Sequence, residues 1–143
     1  MSSTNKGRGL YGYGVYKPVK SKYNASKVEV EGISFDSKKE ARRYGQLVAL
    51  ERSGLISDLE LQKSYELIPN ICEPDTVGKR GGKIKGKVIE RKVTYIADFV
   101  YKDKDGNTIV EDVKGCKIGG AYQIFKIKKK LMLWRYGISV REV

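Results

Sequence analysis

The order of patterned segments predicts an α/β domain with a mixed sheet: a helix, three strands, a second helix and a last strand. The chain has 143 residues, the size of one ordinary domain. Apolar residues make up 40% of it, which is enough for a core. Two stretches carry apolar residues at helical spacing, and the segments between them alternate as strands do.

The charge balance indicates a polyanionic partner. Lys and Arg total 29 against 17 Asp and Glu, a formal net charge of +12. A domain this basic is typical of proteins that bind nucleic acid or an anionic membrane surface. No apolar run approaches the ~18 residues of a membrane-spanning helix. The N-terminal residues show no apolar signal segment, so we expect a cytoplasmic protein.

The absence of histidine and the spacing of the two cysteines limit the kinds of catalytic and metal site that the chain can form. The sequence has no histidine, which excludes Ser-His-Asp and Cys-His hydrolases, histidine-based metal nucleases and zinc sites that use His. Cys72 and Cys116 form no CxxC pair, and a disulfide between them is not expected in a reducing compartment. Any catalysis must therefore use carboxylates, lysines, tyrosines or a hard metal ion.

Residues 1–27 contain no acidic residue and interleave lysines with tyrosines and glycines. They show no hydrophobic period, which predicts a flexible basic arm. Such an arm either wraps nucleic acid and stacks on bases, or serves only as a solubilising tail. The sequence leaves both interpretations open.

The first helix has a clear start and stop. A short strand at 28–31 precedes it, and Asp36 or Ser37 can cap its free amides. Ser37 and Glu40 have the spacing of a capping box. Gly54 is a natural C-terminal stop, so the helix is expected to end there.

The remaining elements follow from alternation and turn residues. We expect a strand at 59–68, a long Gly- and Lys-rich loop at 70–87, strands at 88–101 and 108–113, a helix at 121–134 and a last strand at 138–140. The Asp-Gly step between the second and third of these strands predicts a hairpin. The apolar stripe of the second helix is expected to pack in the core, and its members are Ile124, Ile127, Leu131 and Trp134.

The hairpin carries the strongest chemical signal. Asp98 stands among apolar residues on one strand, and Asp112 and Lys114 are two residues apart on the next, so they face the same side. Pairing across the hairpin would bring Asp98 beside Asp112. Neighbouring carboxylates repel each other, yet they suit Mg²⁺, which binds through one or two carboxylates plus waters and phosphate oxygens. The alternative is an ordinary surface hairpin whose acids pair with lysines.

These residues resemble a known motif. Asp98, then Asp112-Val113-Lys114, preceded by a helix with Glu40, is similar to the PD-(D/E)XK nuclease superfamily, with Ala97 in place of the proline. The segments at 35–44, 59–62, 95–101 and 110–115 resemble small phage-type endonucleases related to Holliday junction resolvases. The likeness leaves the arm, 1–27, outside a nuclease-like domain at 28–143.

The resemblance implies a restriction-endonuclease-like core: helix, three-stranded meander, helix, strand. It implies that Glu40, Asp98 and Asp112 bind Mg²⁺, with Mn²⁺ as a substitute, and that these three and Lys114 are catalytic. Gln62 and Glu111 are expected in supporting positions. The capping box explains Glu40 without any catalytic role, and a glutamine at a strand end is usually only solvated.

Stretches of basic residues without acids indicate phosphate contact. The residues expected to bind DNA are Lys79, Arg80, Lys83, Lys117, Lys126, Lys129 and Lys130. No base-reading helix or finger is evident, so we expect recognition of DNA shape or backbone. The resemblance further implies a homodimer acting on branched DNA in phage recombination or DNA processing, in the host cytoplasm if the protein is phage-encoded.

Two other functions compete with a metal-dependent endonuclease. The first is a protein that binds nucleic acid without cutting it, whose binding would fall with salt and whose hairpin acids would have no catalytic role. The second is a membrane-surface role for the basic amphipathic second helix. It ranks last because the stripe ending at Trp134 is expected to be needed for the core.

Overall fold

The computed structural model describes residues 17–20 and 26–143, and it divides into two compact units, Met1–Gly45 and Gln46–Val143. The elements in chain order are β1 (Lys17–Lys20), β2 (Ser26–Val30), β3 (Ile33–Phe35), α1 (Lys38–Arg52), β4 (Ser57–Ile68), β5 (Ile71–Cys72), β6 (Thr76–Val77), β7 (Lys83–Ile84), β8 (Val88–Glu90), β9 (Val93–Lys102), β10 (Thr108–Asp112), α2 (Gly120–Tyr136) and β11 (Arg141–Glu142).

The first unit contains a three-stranded antiparallel sheet of β1, β2 and β3. Strand β1 and the first two residues of β2 fall within the predicted flexible arm, so that prediction is wrong for these six residues. Strand β1 pairs antiparallel with β2, and its four residues are too few to show a hydrophobic period. The rest of the predicted arm, 1–16 and 21–25, lies outside the described residues.

The predicted start and stop of α1 are confirmed. The Glu40 amide donates to Ser37 Oγ at 3.1 Å, and Ser37 Oγ donates to Glu40 Oε1, also at 3.1 Å. The first of these bonds is the N-cap half of the predicted capping box, and the second links the two side chains. Beyond the last helical residue, Gly54 has φ +72°, a conformation that suits glycine at a helix end.

The second unit is built on a four-stranded mixed sheet in the order β11-β10-β9-β4. Strands β4, β9 and β10 are antiparallel neighbours, and β11 joins β10 in parallel. The predicted hairpin between β9 and β10 is confirmed. Its loop is closed by Asp103, whose Oδ1 accepts the amides of Asp105 and Asn107 at 2.9 Å, and by Gly106 at φ +80°.

The segment between β4 and β9 corrects two sequence predictions. Residues 70–87 are not one loop, because β5 pairs with β8 and β6 with β7, each antiparallel. The strand predicted at 88–101 is two strands, β8 and β9. Ladders of two or three residues are too short to produce a detectable period of two. The last strand is at 141–142, not at 138–140.

The core of the second unit lies between the sheet and α2. Its fully or nearly fully buried members are Leu67, Tyr95, Ala97, Val100, Val110, Phe125, Met132 and Val140. Helix α2 contributes Phe125 and Met132, which are two turns apart on one face. The helix ends at Gly137, a left-handed C-cap whose amide donates to Leu133 O at 3.0 Å.

The apolar stripe predicted for the core is on the wrong face of α2. Ile124 is 58%, Ile127 59% and Trp134 79% exposed, and only Leu131 packs partly against the core. The helix has two apolar faces, so its periodicity alone does not determine which one meets the sheet. Trp134 therefore gives no reason to rank a membrane-surface role last. No helix in the described part of the chain is long and apolar enough to cross a membrane.

The two faces of α2 can be distinguished by stability. Met132→Ala should lower the free energy of unfolding by about 2–5 kcal/mol, because it opens a cavity in the core. Trp134→Ala should change it by about 0.5 kcal/mol or less, because the indole lies mostly in solvent. Urea unfolding of both variants is the measurement. A larger loss for Trp134→Ala would contradict the observed orientation of the helix.

Candidate active site

Strand register places the polar residues of the site in one row across the sheet. On β9, Asp98 has Gln62 opposite it on β4, since Leu61 pairs with Phe99 in that ladder. On the other side, the last pair between β9 and β10 is Phe99 with Glu111. Extending this register by one residue places Asp112 opposite Asp98, as the sequence predicted.

Both oxygens of Asp98 accept hydrogen bonds from neighbouring strands. The amide of Val113 donates to Oδ2 at 2.7 Å, and Gln62 Nε2 donates to Oδ1 at 3.2 Å. Strand β10 ends at Asp112, so the Val113 amide is available to the carboxylate. The half-buried Asp98 thus has donors from both sides, which partly compensate for the water it loses.

Asp112 is more deeply placed, with 4% of its surface exposed. The hydroxyl of Tyr95 donates to its Oδ2 at 3.0 Å, and Lys114 Nζ lies 2.6 Å from its Oδ1. Burial, together with the negative charge and hydrogen bond of Asp112, holds the pKa of Tyr95 well above its ordinary value. Tyr95 therefore remains a proton donor to Asp112 at any working pH.

Lys114 confirms the face predicted from spacing. Its ammonium contacts Asp112 on one side and lies 3.9 Å from the centre of the Phe125 ring on the other. A cation over an aromatic face is stabilised by the ring quadrupole. The side chain is 24% exposed, so this cation is still accessible to a ligand.

The backbone around Asp112 and Lys114 is clamped by the end of the sheet. Val143 donates its amide to Asp112 O and accepts the amide of Lys114, each at 3.0 Å. Both bonds continue the parallel pairing of β10 with β11. These bonds fix the backbone of Asp112 and Lys114, and therefore also the position of the Val113 amide that donates to Asp98.

A pocket of about 290 Å³ opens beside these residues. It lies between β9 and the first turns of α2, and its lining is Thr94, Tyr95, Ile96, Asp112, Lys114, Ala121, Ile124, Phe125 and Lys128. Two lysines and one aspartate therefore line the same cavity. Neither Lys128 nor Tyr95 was predicted for this site. Lys128 was one lysine among many, and no motif relates Tyr95 to Asp112, seventeen residues away.

Gln62 adopts an unusual backbone conformation for a strand residue. Its φ is +51°, in the left-handed region that costs a non-glycine residue about 1 kcal/mol or more. Its side chain reaches Asp98, as the predicted supporting position requires. Strained residues of this kind cluster at functional sites, and the contact with Asp98 gives this one a specific purpose.

The two glutamates of the prediction have contacts of their own. Glu111, 2% exposed, accepts a hydrogen bond of 2.7 Å from Tyr101 on the face opposite to Asp112. Glu40 belongs to the first unit, where its carboxylate also accepts the Asp36 amide at 3.3 Å. The structure describes that capping role, and binding of a metal by Glu40 stays a prediction.

The donor set of the site fits a hard divalent cation. Asp98 and Asp112 supply carboxylate oxygens from adjacent strands, and each oxygen that accepts one hydrogen bond has a second lone pair. Within the described residues, no three or more His, Cys, Asp or Glu side chains are grouped as a metal site. Mg²⁺ needs only one or two protein carboxylates, since waters and phosphate oxygens complete its shell.

Three of the seven basic residues predicted to bind DNA form ion pairs. Lys83 pairs with Asp75 at 2.9 Å, and Lys117 and Lys129 pair with Glu142 at 3.3 and 2.9 Å. Glu142 reaches these lysines from β11, so the acid-free stretch in the sequence is not acid-free in space. The other four are exposed, with no ion pair in the described part of the chain: Lys79, Arg80, Lys126 and Lys130.

The second unit is thus a mixed α/β domain with a carboxylate–lysine site at the centre of its sheet. The chain belongs to a family described as protein of unknown function (DUF1064), whose model matches residues 20–141. No curated protein matches the chain, and no solved structure does.

The Glu142 cluster predicts a pH dependence of stability. The hydrogen bond from Lys129, with those from Tyr122 and Lys117, lowers the pKa of Glu142 from 4.5 to about 2. A lowered pKa stabilises the fold above the ordinary value, and this contribution is lost as the pH falls from about 4.5 to about 2. Glu142→Gln should therefore be less stable than the parent protein at pH 7, with a difference that shrinks towards pH 2.

Urea unfolding at pH 7 and pH 3 tests this dependence. Glu60→Gln is the matched control, because Glu60 forms an exposed pair with Lys63. Such pairs contribute little, so the control should follow the parent protein at both pH values. A Glu142→Gln deficit that is independent of pH would contradict the assignment.

Proposed function

We propose that this chain is a metal-dependent endonuclease that hydrolyses phosphodiester bonds in DNA. The observation that carries the proposal is the pair Asp98 and Asp112, held on adjacent strands with Lys114 against the second carboxylate. Two neighbouring carboxylates are costly to place in a sheet without a cation. Asp112 lines a pocket whose other charged lining residues are both positive, Lys114 and Lys128.

The chemistry divides among these groups. Bound Mg²⁺ would supply Lewis acidity and a more acidic water next to the scissile phosphate. Asp98 and Asp112 would hold the cation, with Gln62 and the Val113 amide fixing the orientation of Asp98. Lys114 would hydrogen-bond a phosphate oxygen and stabilise the charge that develops on it. Tyr95 would position Asp112 without changing its own protonation.

The pocket suits a phosphate in its size and sign. Lys114 and Lys128 both line it, and the first turn of α2 beside it contains no acidic residue. A phosphate bound there would have two lysines beside it as well as the carboxylate of Asp112. The lining also includes the apolar side chains of Ile96 and Ile124.

The element order supports the same proposal. A helix, an antiparallel meander of three strands, a second helix and a parallel last strand occur in the order that the resemblance implies. The restriction-endonuclease-like core thus belongs to the proposal, as do the resolvase-like preference for branched DNA and a homodimer. Two symmetric nicks in a junction require two sites, which a two-fold dimer supplies.

Removing either central carboxylate tests the site. Asp98→Asn and Asp112→Asn should each reduce DNA cleavage by at least about 100-fold, because each removes a cation ligand. DNA binding in EDTA should stay equal or become tighter, since a negative charge near the phosphate is lost. Asp105→Asn, in the exposed β9–β10 loop, is the control and should cut as the parent does. Normal cleavage by either site variant would refute the assigned site.

The substrate class is tested on a panel of DNA structures. Purified protein is incubated with a four-way junction, a flap, linear duplex and single strands, in Mg²⁺, Mn²⁺ or EDTA. The proposal expects metal-dependent, paired nicks in the junction. Cutting of every structure would keep the nuclease and reject the preference for branches. Salt-sensitive binding with no cutting of any structure would instead support a protein that binds nucleic acid without catalysis.

A further inference from the structure

A basic ribbon connects β4 to β9. We define it as residues 70–92, which contain the ladders β5·β8 and β6·β7. Every side chain in it is exposed, apart from the intermediate glycines Gly78 and Gly86. Its charges are three acids, Glu73, Asp75 and Glu90, against seven cations: Lys79, Arg80, Lys83, Lys85, Lys87, Arg91 and Lys92.

The two halves of the ribbon are held together along its length. Asp75 Oδ1 accepts the Gly86 amide at 2.9 Å, and the Glu73 amide donates to Lys87 O at 2.8 Å. The backbones approach so closely that a Cβ at Gly86 would lie 1.7 Å from Glu73 O. The ion pair of Asp75 with Lys83 adds a side-chain link. These contacts make a two-stranded element rather than an open loop.

The tip of the ribbon is a tight turn with two cations. The Gly81 amide donates to Gly78 O at 2.9 Å, and the Gly78 amide donates to Gly82 O at 2.8 Å. Gly81 has φ +78°, which a side chain would strain. Lys79 and Arg80 are therefore displayed at the turn itself, the outermost point of the ribbon.

We propose that the basic ribbon inserts into the major groove of duplex DNA and that Lys79 and Arg80 contact its phosphates. Two strands ~4.8 Å apart with their side chains fit a groove about 12 Å wide, which is known to admit a two-stranded ribbon. The identity of the nucleic acid rests on the proposed function. Duplex docking through this element goes beyond that function.

Cross-strand pairing favours DNA over a second copy of the chain. In the ladder β6·β7, Val77 lies opposite Lys83 and Thr76 opposite Ile84. Nearer the base, Ile71 lies opposite Glu90. Each of these three apolar side chains, which are exposed as Val88 and Ile89 are, therefore has a polar side chain as its cross-strand neighbour. Two such ribbons would also set positive charge against positive charge, which costs free energy.

The ribbon lies close to the candidate active site along the chain. Its last residue directly precedes β9, and Thr94, Tyr95 and Ile96 line the pocket. Asp98 follows the start of β9 by five residues, about 17 Å of extended strand. The base of the ribbon and Asp98 are therefore joined by one continuous strand.

The first test measures how much the two cations at the tip contribute to duplex binding. Binding of a linear duplex by fluorescence anisotropy in EDTA is titrated with salt for Lys79→Ala/Arg80→Ala. Loss of two phosphate contacts should reduce the salt slope by about 1.8 and weaken binding roughly 60-fold at ~0.1 M salt. Lys102→Ala/Lys104→Ala is the control, since it removes two exposed cations from the opposite end of β9. An equal loss in both double variants would overturn the proposal.

The second test asks whether duplex binding depends on the shape of the ribbon, using variants that keep all of its charges. Gly86→Ala should weaken duplex binding at least about tenfold, because the new methyl displaces the Glu73 strand. Gly82→Ala is the control, as a Cβ there meets open space. Wild-type affinity for Gly86→Ala would overturn the role of the ribbon. Unfolding midpoints of all variants confirm that the domain itself is intact.

The groove and the nucleic acid are tested separately. Bound protein should protect guanine N7, a major-groove atom, from methylation, and Lys79→Ala/Arg80→Ala should lose this protection. Duplex RNA should bind more weakly, because its major groove is too deep and narrow for a ribbon. Equal, ribbon-dependent binding of duplex RNA would overturn groove insertion. Because binding is measured in EDTA, a failure of cleavage refutes the nuclease without affecting these outcomes.

Discussion

The pairing of two carboxylates in the middle of a sheet is the constraint on which the described site depends. Asp98 and Asp112 lie on adjacent strands, where their charges repel and where burial removes most water from Asp112 and part of it from Asp98. Each one is compensated by donors that the fold supplies: an amide and a glutamine for Asp98, a tyrosine and a lysine for Asp112. Three features of the fold supply these donors. Strand β10 ends at Asp112 and leaves the Val113 amide available, Gln62 adopts a strained backbone conformation, and Tyr95 is buried beside Asp112.

Two acidic residues, Glu142 and Asp75, form ion pairs with several lysines on the basic surface of the second unit. Glu142 collects Lys117, Lys129 and Tyr122 at the edge of the sheet, and Asp75 fixes Lys83 at the ribbon. These lysines serve the structure. Of the residues predicted to bind DNA, those without an ion pair in the described part of the chain are Lys126 and Lys130 on α2 and Lys79 and Arg80 at the ribbon tip. Net charge alone would have assigned phosphate contacts to all of them.

Much of this arrangement could be predicted from local sequence. Spacing placed Asp112 and Lys114 on one face, the Asp-Gly step located the hairpin, and the capping box located the start of α1. What could not be predicted depends on distant partners. Two-residue ladders have no period, α2 offers two apolar faces, and Glu142 joins its lysines only through a parallel strand. Tyr95 reaches Asp112 for the same reason, through packing rather than through any motif.

The clamp formed by Val143 has a consequence for the order of synthesis. Asp112 and Lys114 gain their backbone hydrogen bonds only when residues 141–143 pair with β10. During translation, Asp98 and the hairpin emerge from the ribosome before that strand does. A nascent chain therefore contains the two carboxylates and the lysine before it contains the strand that aligns their backbone. The carboxylate–lysine geometry is therefore completed only after residues 141–143 have been synthesised and have paired with β10.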